Sequence, residues 1–230
     1  MRRAPGSGAG GDRTRGRRSG APAAGDLAAG TSAGSDLTAR DLTVAELARR
    51  WWRPALAVLV VAVAVVWRLV RQDLGAPPNL ELITAATFFA AVLLRHRAAV
   101  LVPFAAAAVS DALLGNTTIL LFTWSAWAVI GLGALLVRRT AGWTRLGAAF
   151  GLGVGGSVWF FLWTNLGVWL QSRGTFYAPG LDGLLDSYVM GLPFFRTMLL
   201  GNLVLVPLAA GAVALVERAE RAAGLVPREA

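Results

Sequence analysis

The chain has no cysteine, no lysine and a single histidine among its 230 residues. Without cysteine, disulfide bonds, thiolate catalysis and cysteine metal sites are excluded. The one histidine, His96, lies in the short turn "RHR", away from any carboxylate, so metalloprotease, phosphatase and serine-hydrolase arrangements all lack their parts. No phosphate-binding glycine loop follows a strand. The sequence therefore predicts no enzyme, no metal site and no cofactor.

Charge is also scarce. Charged residues make up 15% of the chain and hydrophobic residues 56%, with nine tryptophans and a mean hydropathy of +0.58. A soluble domain of this length is far less apolar. The composition predicts an integral membrane protein whose solvent is the lipid bilayer.

Six apolar runs approach the length that crosses a hydrocarbon core, which is roughly 17 to 25 residues for a helix. Glycine and proline interrupt these runs instead of separating short alternating strands, which argues against a β-barrel. We therefore expect an all-α fold with six transmembrane helices. The predicted spans are 54–70, 79–94, 98–115, 117–137, 146–170 and 193–216.

The arginines predict the orientation, because basic residues accumulate in cytoplasmic segments. Only Arg68, Arg71 and Arg173 fall on one side, and both termini are expected on the other, in the cytoplasm of a bacterial cell with the chain multi-pass in its plasma (inner) membrane. The arginines on the predicted cytoplasmic side are Arg40, Arg49, Arg50, Arg53, Arg95, Arg97, Arg138, Arg139, Arg145, Arg218, Arg221 and Arg228.

The two ends of the chain differ from its middle. Residues 1–45 form an Arg-, Gly- and Ala-rich stretch without periodicity, expected to be a disordered cytoplasmic tail; a mis-assigned start and a role at anionic lipid are the alternatives. Residues 46–217 form the predicted transmembrane domain, and 218–230 a short cytoplasmic tail. Since topology accounts for many of the arginines, the net charge of +9 does not predict a nucleic-acid partner.

Polar side chains gather at the predicted outer ends of five spans, whereas the inner halves are mostly Ala, Val, Leu and Gly. Buried polar groups in lipid are costly and usually face the interior of a bundle. The pattern predicts a ligand cavity that opens away from the cytoplasm. On the cytoplasmic side, the apolar inner halves of the helices are expected to pack together and close it. The candidate ligand-binding residues are Asn79, Glu81, Asp111, Asn165, Trp169, Tyr188 and Arg196.

Two of these predictions concern particular side chains. Asn165 shares a helix face with Trp169, which favours a role in ligand binding. The alternative is that the Asn165 side chain only forms a hydrogen bond that joins two helices. Pro193 is expected in the first turn of the last helix, so that Arg196 lies near a helix N-terminus and needs a facing anion. The available carboxylates at similar depth are Asp111, Glu81 and Asp186. We expect Arg196 to pair with one of them, with Asp111 the best candidate.

Small residues spaced four apart predict close helix packing. Gly147, Gly151 and Gly155 form such a face on the fifth span, and Ala86 and Ala90 form a weaker one on the second. Packing within the chain is the first interpretation of both faces, and contact with a partner membrane protein is the alternative.

Four motifs occur in order: "PPNLELITAATFFAA", "LVPFAAAAVSDALLGN", "FFLWTNLGVWL" and "GLDGLLDSYVMGLPFFRTMLLGN". Together, over about residues 75 to 217, they resemble a family of uncharacterised six-helix bacterial membrane proteins. That family looks like the substrate-binding S components of energy-coupling factor (ECF) transporters. One departure is Asn202, which stands where the family pattern has aspartate, so a charge-dependent role at that position is in doubt.

The resemblance implies a solute-binding subunit that captures a small vitamin- or nucleobase-like molecule for uptake. It further implies a transmembrane coupling subunit driven by separate ATPases. Two alternatives stay open: a non-transporting scaffold of the cell envelope whose tail recruits a partner, and an intramembrane enzyme that uses Asp111 and Glu81.

Overall fold

The computed structural model describes residues 44–116 and 118–224, and every regular element in this part of the chain is helical. The all-α prediction is thus confirmed. Residues 1–43 of the predicted tail and the last six residues lie outside the described residues. The helices are α1 (Val44–Val70), α2 (Ile83–Leu94), α3 (Val102–Leu114), α4 (Leu120–Val137), α5 (Gly142–Ser172) and α6 (Leu181–Ala222), with a 3₁₀ helix at Arg97–Leu101 before α3.

Five of the described helical segments, not six, are long and apolar enough to cross a membrane. The exception is α2, which has 12 residues and a length of about 18 Å. The predicted second span is too long because Asn79 adopts a left-handed backbone conformation (φ 60°) and the chain enters the helix only at Ile83. At the other end Arg95, at φ 51°, terminates it.

The short helix α2 lies at the centre of the fold. Residues 83–93 are all buried, including Ala86 and Ala90, and α2 packs against each of the other five helices. A helix that is apolar all round is expected inside a protein and away from its solvent. The apolar composition of this run therefore reflects burial in protein, whereas the five longer helices surround it.

Helix α6 begins at Leu181, twelve residues before the predicted start, and Pro193 lies within it. Proline is tolerated inside membrane helices because neighbouring groups can satisfy the carbonyl that it leaves without a donor. Arg196 therefore lies well inside a 42-residue helix and not at its N-terminus. The helix-terminus argument for an anion facing Arg196 is wrong.

Helices α5 and α6 pack closely, but not through the predicted glycine face. A Cβ atom built on Gly153 would lie 3.1 Å from the backbone oxygen of Asn202, whereas Gly147, Gly151 and Gly155 have nothing within 4 Å. The stretch contains glycines at several overlapping four-residue spacings. Spacing alone cannot choose among them, and contact with α6 selects the face of Ala149, Gly153 and Ser157, all buried.

Candidate functional site

A cavity of about 400 Å³ lies at the end of the bundle where α1 ends and α2 begins. Its walls come from the last turn of α1, the connection into α2, the first half of α4, the last half of α5, the first half of α6 and the α5–α6 connection. Ligand sites for small molecules typically occupy about 300 to 1,000 Å³. The cavity is therefore large enough for one small organic molecule.

One wall of the cavity is charged. Arg68 and Arg71 are three residues apart at the end of α1 and therefore share a helix face. The Nη2 atom of Arg71 lies 3.5 Å from Oε1 of Glu81, and Nη1 of Arg68 lies 4.0 Å from the same oxygen. Glu81 is only 6% exposed. Both cations are thus held around one buried carboxylate at the edge of the cavity.

Behind this wall, Asp111 holds Arg68 in place. Its Oδ1 accepts hydrogen bonds from Arg68 Nη2 at 2.6 Å and from Asn116 Nδ2 at 2.9 Å, and its Oδ2 accepts one from Trp124 Nε1 at 2.9 Å. The predicted pairing of Asp111 with Arg196 is wrong. Asp111 is 2% exposed and satisfied by three donors, so it acts on the cavity through Arg68.

Four polar atoms on residues that line the cavity are buried and lack a hydrogen-bond partner among the described residues. Three are donors, on Arg68 Nε, Arg71 Nε and Trp127 Nε1, and one is an acceptor, Glu81 Oε2. A buried polar group without a partner costs about 1–3 kcal/mol. Of the nine unpartnered buried side-chain atoms in the described part of the chain, these four belong to residues that line this one cavity.

Burial also changes the acidity of Glu81, which lies in the connection between α1 and α2, outside the membrane-length helices. Desolvation raises the pKa of its carboxyl group above the ordinary value, and the Coulombic attraction of Arg68 and Arg71 opposes that rise. The cavity wall therefore contains a carboxyl group that takes up a proton more readily than an exposed glutamate.

The opposite wall is built by α5 and α6 around Asn165. The amide Nδ2 of Asn165 donates to the carbonyl of Phe161 at 2.8 Å, and the hydroxyl of Ser187 donates to the backbone carbonyl of Asn165 at 2.8 Å. The Asn165 side chain packs directly over Gly191, where any Cβ atom would collide with it. Asn165 thus lines the cavity while its backbone ties α5 to α6.

Aromatic rings form much of the remaining lining. Trp127 and Phe160 have ring centroids 5.0 Å apart, and Phe161 and Phe195 have centroids 4.7 Å apart. Trp127 is fully buried. Flat apolar surfaces next to a charged wall suit a planar ligand with a polar edge.

The predicted site residues divide into three groups. Asn79, Glu81 and Asn165 line the cavity, and Asp111 supports it from behind. Trp169 and Tyr188 lie outside the lining: Trp169 Nε1 donates to the carbonyl of Ala178 at 3.0 Å, and the Tyr188 hydroxyl donates to the carbonyl of Leu162 at 3.2 Å.

Arg196 forms the third group. It is exposed and lines a separate apolar groove on α6, not the cavity.

Sequence reasoning missed Arg68, Arg71, Trp127 and Tyr177 as lining residues. The two arginines were assigned only to topology, although their three-residue spacing at the end of an apolar run already indicated one polar face. Tyr177 reaches the cavity from the α5–α6 connection, where the N–H of Gly174 donates to its carbonyl at 2.6 Å. No periodic signal could have identified a loop residue of this kind.

The other end of the bundle carries a second set of ion pairs. Arg145 donates from Nη1 and Nη2 to the two carboxylate oxygens of Glu217 at 2.9 Å each, and its Nε and Nη2 also donate to the carbonyl of Thr140. Arg53 binds Glu220 through two parallel hydrogen bonds. These groups satisfy one another directly.

Among residues 44–116 and 118–224, no group of three His, Cys, Asp or Glu side chains could hold a metal ion. The chain belongs to DUF6580, a family of unknown function, whose family model matches residues 47–223. Neither the curated proteins nor the solved structures give a match to this chain. These comparisons lend no support to a likeness with ECF S components.

Proposed function

We propose that this family member is an integral membrane protein that binds a small solute in the cavity beside Arg68, Arg71 and Glu81. The observation that carries the proposal is the set of unpartnered buried polar atoms on residues that line one cavity. A ligand would offer acceptors to the two arginines and Trp127, and a donor to Glu81, and would thereby remove the cost of leaving them unpaired.

The lining restricts the class of ligand. Arg68 and Arg71 are balanced in formal charge by Glu81 in the lining and by Asp111 behind it, so the site does not favour a highly charged solute. Aromatic rings on one side and the Asn165 amide on another favour a planar molecule with hydrogen-bonding edges. We propose a vitamin- or nucleobase-like compound.

Transport is the larger role that we propose for this binding. The cavity lies at the end of the bundle that carries few arginines, which the positive-inside rule assigns to the outside. Although α2 is too short to count as a membrane-length helix, it runs from one end of the bundle to the other, because Glu81 before it contacts Arg71 and Arg95 after it lies 3.6 Å from Glu217. The chain therefore passes between the two ends six times, and we propose that both termini lie in the cytoplasm of a bacterial plasma membrane. Capture would then precede uptake in the manner of an ECF S component. A transmembrane coupling subunit with separate ATPases would supply the energy.

The test is native mass spectrometry of the full chain purified without added ligand, followed by thermal-shift measurements against water-soluble vitamins and nucleobases. We expect a retained small molecule, and stabilisation by at least one compound. Glu81→Gln should weaken that stabilisation, because it replaces an anionic acceptor by a neutral amide of the same shape.

A matched control is Asp186→Asn, which makes the same chemical change at an exposed position of α6 outside the cavity lining. It should bind as the parent does. If no compound is retained or stabilises the protein, or if both variants behave alike, the solute-binding proposal fails.

A second candidate is a non-transporting scaffold of the cell envelope whose tail recruits a partner. The observation that favours it is the bundle's set of ion pairs at both ends, which would lock a static structure. Deleting residues 1–43 separates the two functions: a scaffold should lose its partner in a pull-down, whereas a solute-binding subunit should keep ligand binding.

A further inference from the structure

A large apolar groove runs along the outside of α6, separate from the polar cavity. Its volume is about 1,430 Å³, and its two walls are the α1–α2 region, including Trp67 and Leu80, and the α6 face from Val189 to Leu205. The groove is open along its length, and its lining is overwhelmingly apolar. In a bilayer the part of this groove from Leu199 to Leu205 faces hydrocarbon chains.

Arg196 is the one charged side chain that lines this groove. It is exposed, and among the described residues no carboxylate lies within 4.0 Å of its guanidinium. An arginine at membrane depth needs an anion or water, because its charge is costly in hydrocarbon. The ion pairs at both ends of the bundle use other arginines and leave Arg196 available.

The position of Arg196 along α6 indicates where its anion comes from. Twenty-one residues separate it from Glu217, which belongs to the ion pairs at the other end of the bundle. At 1.5 Å per residue this distance is about 32 Å, close to the roughly 30 Å thickness of a hydrocarbon core. When α6 runs along the membrane normal with Glu217 at one edge of the hydrocarbon core, Arg196 lies at the other edge, where its long side chain can reach lipid phosphates.

From these observations we propose that the groove binds an anionic phospholipid, with the lipid phosphate on Arg196 and the acyl chains along Leu200 and Val204. The guanidinium offers charge-assisted hydrogen bonds to phosphate oxygens, and an apolar wall below it matches the chains. This site is distinct from the solute cavity and does not depend on the solute-binding function.

The two spaces share one residue. Phe195 lines both the groove and the cavity, so its ring lies between the lipid site and the solute site. The Phe195 ring also packs against the tilted ring of Phe161, which lines the cavity. A lipid bound in the groove would therefore contact Phe195 without entering the solute cavity.

The experiment is native mass spectrometry of the delipidated full chain, titrated in detergent with phosphatidylglycerol and, separately, with phosphatidylcholine. We expect one tightly held phosphatidylglycerol on the parent protein, and at least a fivefold weaker interaction for Arg196→Gln. Arg196→Lys should retain part of the binding. Arg173→Gln, which removes another exposed arginine at the same end, is the matched control and should bind as the parent does.

A second variant tests the apolar wall. Leu200→Trp narrows the groove and should weaken both lipids, while inorganic phosphate at millimolar concentration should not displace phosphatidylglycerol. Equal binding by the parent and Arg196→Gln would overturn the proposal, as would displacement by free phosphate. A second copy or another protein retained only when Arg196 is intact would also overturn it and assign the groove to a protein partner.

Discussion

Two ion pairs at opposite ends of the helix bundle, Arg145 with Glu217 and Arg71 with Glu81, differ in how completely their hydrogen bonds are made. At one end Arg145 is 4% exposed and every nitrogen of its guanidinium donates to Glu217 or to the carbonyl of Thr140. At the other end Arg71 has one long contact to Glu81, and both side chains retain unpartnered atoms beside an open cavity. The saturated pair joins α5 to α6, whereas the unsaturated pair lines the cavity to which we assign solute binding.

The largest expected effect is on stability, at the saturated Arg145–Glu217 pair. Arg145→Gln should destabilise the protein by about 3 kcal/mol, because the buried Arg145 side chain loses two charge-assisted hydrogen bonds to Glu217 and those to the carbonyl of Thr140, and Glu217 keeps only Arg95 at 3.6 Å. Thermal unfolding in detergent measures this change. Arg139→Gln, which alters an exposed neighbouring arginine, should have little effect. Equal stability of the two variants would show that the Arg145 pair does not hold the bundle.

The next largest expected effect on stability is at the close apolar contact between α5 and α6, in the middle of the bundle. Gly153→Val should cost about 2 kcal/mol, since even a Cβ atom lies 3.1 Å from the backbone oxygen of Asn202 and the larger side chain forces α5 from α6. Gly151→Val, on the open face two residues away, should be neutral or slightly stabilising. Thermal unfolding in detergent compares the two variants. A larger loss of stability for Gly151→Val than for Gly153→Val would contradict the packing of α6 against the face of α5 that contains Gly153.

At the unsaturated end the expected effect is on binding and not on folding. Arg71→Gln should weaken the bound solute about tenfold, or about 1.4 kcal/mol, because a charged donor is lost from the cavity wall. The free energy of unfolding of the Arg71→Gln variant should change by less than that of the Arg145→Gln variant. A variant that lost stability but bound the solute normally would assign Arg71 to structure.

The smallest effect concerns pH. Burial raises the pKa of Glu81 in the folded protein, so this group contributes stability that is fully present below its ordinary pKa of 4.5 and is lost as the pH rises through the raised value. Replacing it in Glu81→Gln should therefore flatten the decline of stability with rising pH in that interval. Thermal scans of both proteins across pH test this, and parallel curves would contradict the assignment.

Much of the fold could be predicted because apolar runs and helix length are local properties. The all-α class and five membrane-length helices follow from composition and run length. The second of the six predicted spans was misinterpreted: α2 is as apolar as a membrane span, but Asn79 and Arg95 limit it to 12 residues inside the bundle. Hydropathy cannot distinguish burial in protein from burial in lipid.

The candidate site was only partly predictable. The depth of Glu81, Asp111 and Asn165 could be inferred from their positions in the runs, and the structure places all three at the same end of the bundle. The choice of cation could not be inferred, because Arg68, Arg71 and Arg196 were each at a suitable depth. Helix rotation decides between them, turning the first two toward Glu81 and the third toward the groove.

What the sequence determined by itself is the solvent and the element type: scarce charge, absent cysteine and long apolar runs require a helical protein suited to a membrane. What only the tertiary structure decided is which polar groups meet. Asp111 accepts a hydrogen bond from Arg68, which is 43 residues away in the sequence, and Gly153 rather than Gly151 faces Asn202. The reason is physical: helical period fixes faces within a helix, but the rotation of one helix against another depends on packing contacts between them.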